Sequence, residues 1–255
     1  METVSVFKWP RELRQTYNYG AQVSFEADET VSYSCPMMPP GTAIRTWSSR
    51  GSGDAYLMAS PQLPLLLHQR TYYFAMACEA FPAKSVYAQL STFDEQGETI
   101  DQVTFQELSG TFSLPDEVAS YELSLMNTNH HRLTFYQMVL MPAELSQRIS
   151  WMGNVIGVAA AAFDTPQLDV IVACRNMANR NYPVNTKGAT VIGAYTRATF
   201  QDPTQLTIAL NDLTSRVWEM QHRLSEGTTI RIRRWGQVPE TATQQLVELL
   251  HPTNV

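Results

Sequence analysis

His130 and His131 are the chain's one adjacent histidine pair, and they follow the polar turn Asn127-Thr128-Asn129. Neighbouring side chains in an extended segment point to opposite sides, so the pair makes a poor metal site and reads as surface histidines. Ser48-Ser49-Arg50-Gly51-Ser52-Gly53-Asp54 has the composition of a nucleophile or phosphate loop. No helix follows it to aim backbone N–H groups at an anion, so a solvated loop is the better reading. Asp94, Glu95, Glu98 and Asp101 surround Gly97 and could offer oxygens to Ca²⁺, but their spacing matches no known loop and the default is a hairpin turn. Glu12, Glu26, Asp28 and Glu29 read as strand-end charge. A glycosidase needs two carboxyls about 5 to 10 Å apart across a cleft, and nothing in the spacing sets such a pair. G-x-S-x-G, P-loop, H-E-x-x-H and G-x-G-x-x-G signatures are absent. The residues therefore designate no catalytic group, no metal ligand and no cofactor.

Aromatic side chains carry the best case for a site. A flat ring on a strand can stack on the C–H face of a sugar while neighbouring amide, hydroxyl or guanidinium groups bond its hydroxyls. Trp47, beside Arg45 and Ser49, is one candidate; core packing is its competing reading. Tyr87 and Gln89 are the next, because they alternate with the apolar set Val86, Ala88 and Leu90, and Tyr136 could join them. The candidate carbohydrate-binding residues are thus Trp47, Tyr87, Gln89 and Tyr136.

Composition narrows the function classes. The chain has 255 residues, 44% hydrophobic and 16% charged, enough for one large core or two modest ones. A net charge of −6 argues against a surface built for nucleic acid, which needs clustered Lys and Arg. Residues 1–145 carry 8 basic and 16 acidic side chains while 146–255 carry 10 and 8, an asymmetry that suggests two units with different surfaces. Cys35, Cys78 and Cys174 are odd in number and far apart, which fits a reducing compartment and encodes neither a disulfide framework nor a zinc site. The opening Met1-Glu2-Thr3-Val4-Ser5-Val6-Phe7-Lys8 lacks a secretory leader's basic start and long apolar run. The longest apolar window, Trp151 to Phe163, is shorter than the about 20 residues a membrane span requires and reads as a buried helix.

The elements that must position these residues differ between the halves. Runs rich in Val, Thr, Tyr and Phe recur as strands: Val4 to Trp9, Gln22 to Ala27, Thr30 to Cys35, Ala43 to Trp47, Tyr72 to Glu79, Val86 to Phe93, Ile100 to Gln106, Ser120 to Met126 and Leu133 to Leu140. Turn residues separate them, as in a β-sandwich or jelly roll. Past residue 165, Leu168 to Ala173 and Ala189 to Tyr195 look like buried strands. Asp202-Pro203-Thr204-Gln205 opens a helix with an apolar stripe at Leu206, Leu210, Leu213, Val217, Met220 and Leu224. Thr228 to Trp235 alternates as a strand, and Glu240 to Leu250 is a final amphipathic helix. The expected organisation is a β-sandwich over 1–141, a linking helix over 142–165, and a small α/β domain over 166–255.

Order-specific detail between Tyr19 and Asp101 adds a resemblance. The Tyr19-Gly20 to Phe25 strand, the Met38-Pro39-Pro40-Gly41 turn, Ile44-Arg45-Thr46-Trp47-Ser48-Ser49, Pro61-Gln62-Leu63-Pro64-Leu65-Leu66, Thr71-Tyr72-Tyr73-Phe74 and Ser85-Val86-Tyr87 to Phe93 occur in sequence. Together they resemble the smallest, sandwich-type subunit of the accessory secretory protein complex, which serves the accessory Sec export route of Gram-positive bacteria. The resemblance covers roughly the first 140 residues. It implies a fold like a carbohydrate-binding module and a non-catalytic, cytoplasmic subunit that reaches the membrane translocon only through partners. Those partners are two larger accessory secretory proteins, one glycosyltransferase-like and one acetyltransferase-like, the accessory SecA motor, and serine-rich-repeat glycoprotein adhesins as cargo. Three readings follow: an adaptor with weak glycan affinity, a purely architectural subunit, and a hydrolase or acetyltransferase built on His68, His130 or His131. None involves nucleic acid or a membrane span.

Overall fold

The computed structural model describes residues 2–26, 29–51, 61–152, 155–158, 167–175, 181–185, 187–224 and 227–250. Two compact units emerge: a front unit, Val6–Ala143, and a rear unit that joins Met1–Ser5 to Glu144–Val255. The first strand, β1 (Glu2–Phe7), runs across that division.

Nine further strands build the front unit: β2 (Gln22–Phe25), β3 (Val31–Ser34), β4 (Ala43–Ser48), β5 (Thr71–Phe81), β6 (Val86–Phe93), β7 (Thr99–Phe105), β8 (Ser109–Ser113), β9 (Ser120–Asn127) and β10 (Arg132–Pro142). In one sheet β2 pairs β3, β3 pairs β10, β10 pairs β5, and β5 pairs β8, all antiparallel. In the other the order is β4-β9-β6-β7. Alternation explains how they face each other, because every second residue of a strand points to the same side. Val31 and Tyr33, Tyr72, Phe74 and Met76, and Leu133 and Phe135 from the first sheet meet Trp47, Ala88, Leu90, Leu123 and Leu125 from the second in one core. The front unit is therefore the expected sandwich. Only β8 has no counterpart among the expected strands: Ser109-Gly110-Thr111-Phe112-Ser113 offers a single buried apolar residue, Phe112.

The rear unit contains a 3-10 turn (Ala143–Arg148), then β11 (Ile149–Met152), β12 (Val155–Val158), β13 (Gln167–Cys174), β14 (Asn181–Val184), β15 (Ala189–Tyr195), α1 (Arg197–Gln201), α2 (Pro203–His222), β16 (Thr229–Trp235) and α3 (Glu240–Leu250). Its sheet order is β11-β12-β15-β13-β16, with β13 parallel to both β15 and β16. Leu206, Leu210, Leu213, Val217 and Met220 of α2 pack on Leu168, Val170, Val172 and Val191. That stripe thus serves the unit's own core. Asp202 caps α2 by accepting hydrogen bonds from the Thr204 and Gln205 backbone N–H groups, with Pro203 in the first turn. β14 pairs antiparallel with Glu2–Ser5, and the Ser5 hydroxyl bonds the Asn181 side chain at 2.6 Å.

The linking helix expected over 142–165 is corrected. Residues 149–152 and 155–158 are strands paired antiparallel, Ile149 with Val158 and Met152 with Val155; residues 153–154 and 159–165 lie outside the described residues. A run of apolar residues does not distinguish strand from helix by itself, whereas Ile149, Val155, Ile156 and Val158 are β-branched and Gly153-Asn154 between them is a hairpin signal. Gly157 also has a packing reason to lack a side chain: a Cβ there would stand 2.8 Å from the Met220 methyl of α2. Among the described residues, no helix is long and apolar enough to cross a membrane.

Candidate functional site

Trp47 is not a surface platform. It is 1% exposed, stacks on Phe135 at 5.2 Å between centroids, and meets Trp9 edge-on at 6.3 Å. A ring without a free face cannot take a sugar, so this candidate is corrected to core. Its neighbour Arg45 is buried as well: it donates to the Glu12 carbonyl, the Thr16 hydroxyl at 3.0 Å and the Gln62 side-chain oxygen at 2.9 Å, and so pins two loops to β4.

The other three candidates lie on opposite outer faces. Tyr87 and Gln89 are half-buried on β6, turned away from the core that Val86, Ala88 and Leu90 enter, and Gln89 lies opposite Ser124 and Thr104. Tyr136 sits on β10, in the other sheet, at a bulge between Phe135 and Gln137. Phe135 and Met138 both enter the core, so the extra residue leaves Tyr136 and Gln137 together on the outer side. With the core between the two sheets, Tyr136 cannot act with Tyr87 and Gln89.

What does converge is a cleft of about 570 Å³ on the outer face of the sheet that carries Tyr136. Strand register builds it. Ser24, Ser32, Thr134 and Glu79 stand opposite one another across β2, β3, β10 and β5. One step along, Gln22, Ser34, Arg132 and Phe81 form a second row. Strands about 4.8 Å apart make each row roughly 14 Å long. The Ser34 hydroxyl is engaged with the His131 carbonyl at 2.8 Å. Glu79 and Arg132 make no side-chain hydrogen bond or ion pair with a described residue. Arg132 rests over the Phe81 ring, 5.5 Å from its centroid, and that ring remains 56% exposed. One carboxylate, one guanidinium, several hydroxyls, an amide and a ring thus share an open face with no net charge. Such a set can accept from and donate to a neutral hydroxyl-rich ligand, with the ring edge as its apolar contact. The outward members of each strand are visible in the sequence as alternating polar residues, but only register brings the four strands' contributions into line.

Other reactive groups are placed as follows. His130 is 2% exposed, correcting its reading as a surface histidine: it stacks on Tyr33, and its Nδ1 lies 2.6 Å from the Asn127 side-chain oxygen. His131 is exposed against Phe81. His68 faces Asp116 at 3.8 Å, both largely exposed, and no hydroxyl or thiol bonds it among the described residues. Asp94 closes its own hairpin by accepting the Glu98 backbone N–H at 2.8 Å, and Asp101 accepts from Gln102. Among the described residues no group of three or more His, Cys, Asp or Glu could hold a metal. All three cysteines are free, and burial, then the neighbouring Glu79 charge, pushes the Cys78 thiol up to about 12. Residues 52–54 of the serine-rich loop, and Asp28, lie outside the described residues. Met37 is 91% exposed while Met38, Met138 and Met141 are buried.

A two-sheet core under an open polar face defines a β-sandwich. Residues 16–142, inside the front unit, match the family described as the third accessory secretory protein of the accessory Sec secretory system, and the chain belongs to that family. The accessory Sec system protein of the same family from Staphylococcus aureus is 31% identical over 127 residues, which is 50% of this chain and 39% of that protein. A solved structure of accessory secretory proteins 1, 2 and 3 from Streptococcus pneumoniae is similar at a TM-score of 0.50 and 28% identity, covering 54% of this chain and 95% of that one. The Glycosylation Associate Protein (Gap123) complex from Streptococcus agalactiae contains a chain like this one in fold, at a TM-score of 0.54 and 18% identity, covering 96% of this chain and 75% of that one.

Proposed function

We propose that the chain is a non-catalytic subunit of the accessory secretory protein complex, and that it holds glycosylated cargo through the β2-β3-β10-β5 face. The observation that carries this reading is the cleft with two charged groups, Glu79 and Arg132, that form no ion pair or side-chain hydrogen bond among the described residues, flanked by hydroxyls and the exposed Phe81 ring on which Arg132 rests. Among the described residues no hydroxyl of this face is hydrogen-bonded to Glu79, which supports a face that recognises without transforming. Family membership supports the assembly: relatives have been solved as a set of accessory secretory proteins 1, 2 and 3 and as a Gap123 complex. In this reading two larger accessory proteins, glycosyltransferase-like and acetyltransferase-like, are its neighbours. The accessory SecA motor receives the serine-rich-repeat adhesin on the cytoplasmic side of the membrane, where the subunit is held peripherally. Residues 6–143 supply the recognition module, and residues 1–5 together with 144–255 a separate docking unit.

Titrating the full chain with N-acetylglucosamine oligomers, while following backbone amide shifts, tests the glycan part. Shifts should concentrate at Gln22, Ser32, Glu79, Arg132 and Thr134, and Arg132→Ala with Glu79→Gln should abolish them. Shifts at Tyr87 and Gln89 instead would move the site to the opposite sheet. No response up to tens of millimolar ligand, with both large partners still co-purifying, would favour the second reading, an architectural subunit; exposed Met37, Leu65 and Leu67 are the apolar side chains that support it.

A further inference from the structure

The rear unit ends its sheet on an edge strand of unusual chemistry. β16 pairs with β13 along one side, Gln167 opposite Thr229 through to Ala173 opposite Trp235, and no described strand pairs its other side. Seven residues at about 3.3 Å each make an edge roughly 23 Å long. Ile230 and Ile232 turn toward the helix-covered core. Arg231, Arg233 and Trp235 alternate on the opposite face, and Arg231, Arg234 and Trp235 are exposed, Trp235 at 36%. Arg233 has Asp169 at 3.5 Å. Arg231 and Arg234 have no ion-pair or hydrogen-bond partner among the described side chains.

Open edges are usually protected by being short, by proline, by a bulge or by charge. β16 has no proline, and its register with β13 is unbroken from end to end. Its three guanidiniums repel one another within four residues and would repel a second β16, which disfavours pairing of this edge with itself. They would be neutralised by a strand carrying carboxylates at alternate positions, since Arg binds carboxylate through a planar fork of donors. Addition of an extended peptide to an edge supplies backbone hydrogen bonds on the side of β16 that no described strand pairs, and the side-chain alternation supplies the selectivity.

We infer that β16 is a docking edge for an extended acidic segment of a partner protein, added as a sixth strand to the rear sheet beside Arg231, Arg233, Arg234 and Trp235. The inference does not depend on glycan binding by the front unit.

Calorimetric titration of the full chain with a nine-residue acetylated peptide alternating Glu and Val tests it. Three controls separate the contributions: Lys in place of Glu, the same Glu peptide fully N-methylated on its backbone, and the double variant Arg231→Gln/Arg234→Gln checked for native circular dichroism. Each control should bind at least tenfold more weakly than the parent pair, and amide shifts from the parent peptide should centre on 229–235. Equal binding of the Glu and Lys peptides would overturn the inference, as would undiminished binding of the N-methylated peptide. Shifts centred elsewhere would overturn it too. So would tighter binding of a twelve-residue oligothymidylate, or self-association of the chain abolished by the double variant, since either outcome would assign the edge to a different occupant.

Discussion

Trp47 shows how far one residue's type underdetermines its role. Its ring is enclosed by Trp9 and Phe135, and its N–H reaches the Lys8 carbonyl at 3.4 Å. Truncating a buried ring of this size leaves a cavity as well as lost transfer energy, so Trp47→Ala should cost about 3 to 5 kcal/mol in urea unfolding. Arg132→Ala, on the open face, should leave the midpoint within about 0.5 kcal/mol of the parent. His130 carries a second prediction. Asn127 donates its amide hydrogens to the Met38 and Pro39 carbonyls, so its oxygen accepts from His130 Nδ1 and leaves the buried Nε2 bare. Burial first, and then neighbouring His131, lower the His130 pKa below its ordinary value near 6.5. The native state therefore refuses a proton that the unfolded chain accepts. His130's contribution is complete above about pH 6.5 and is lost as pH falls from there toward the lowered native value. Unfolding free energy measured between pH 7.5 and 5.5 should fall toward acid, and His130→Gln should flatten that slope. An equal slope in the variant would assign the effect elsewhere.

Among elements, the long strands were legible because their apolar residues alternate over eight or more positions, as β6 and β9 do. β8, β11, β12 and β14 were not, being four or five residues each and lacking a period of their own. α2 was legible at its first residue through Asp202-Pro203 and along its length through its leucine spacing. Asp202→Ala removes the acceptor for two backbone N–H groups and should lower rear-unit stability by about 1 kcal/mol, read from thermal unfolding, while Asp202→Ser should retain most of it. The β6–β7 hairpin has a sharper constraint. Gly97 has φ +87°, and Arg50 occupies the place a Cβ would take. Gly97→Ala should destabilise the front unit by about 1 to 2 kcal/mol, the cost of a left-handed backbone for an L-residue, measured by urea titration.

At the scale of the molecule, the chain's first residues belong with its second half. Glu2–Ser5 pair with Asn181–Val184, and Val4 and Tyr182 are fully buried. Deleting Met1–Ser5 should accelerate amide hydrogen exchange at 181–184 while leaving β6 and β9 protected; unchanged exchange there would contradict the pairing. No local signal announces this contact, because residues about 180 positions apart are joined only when the fold closes. By itself the sequence determined what depends on periodicity and local chemistry: a sandwich of alternating strands, the capped helix α2, the buried strands β13 and β15, and the absence of a catalytic motif. Tertiary structure alone decided which outward residues become a site. Strands have two faces, and register sets the neighbours on each. Trp47 fell inside, Tyr136 and Tyr87 were parted by the core, and Glu79, Arg132, Ser32 and Gln22, unremarkable in their own segments, were brought onto one surface.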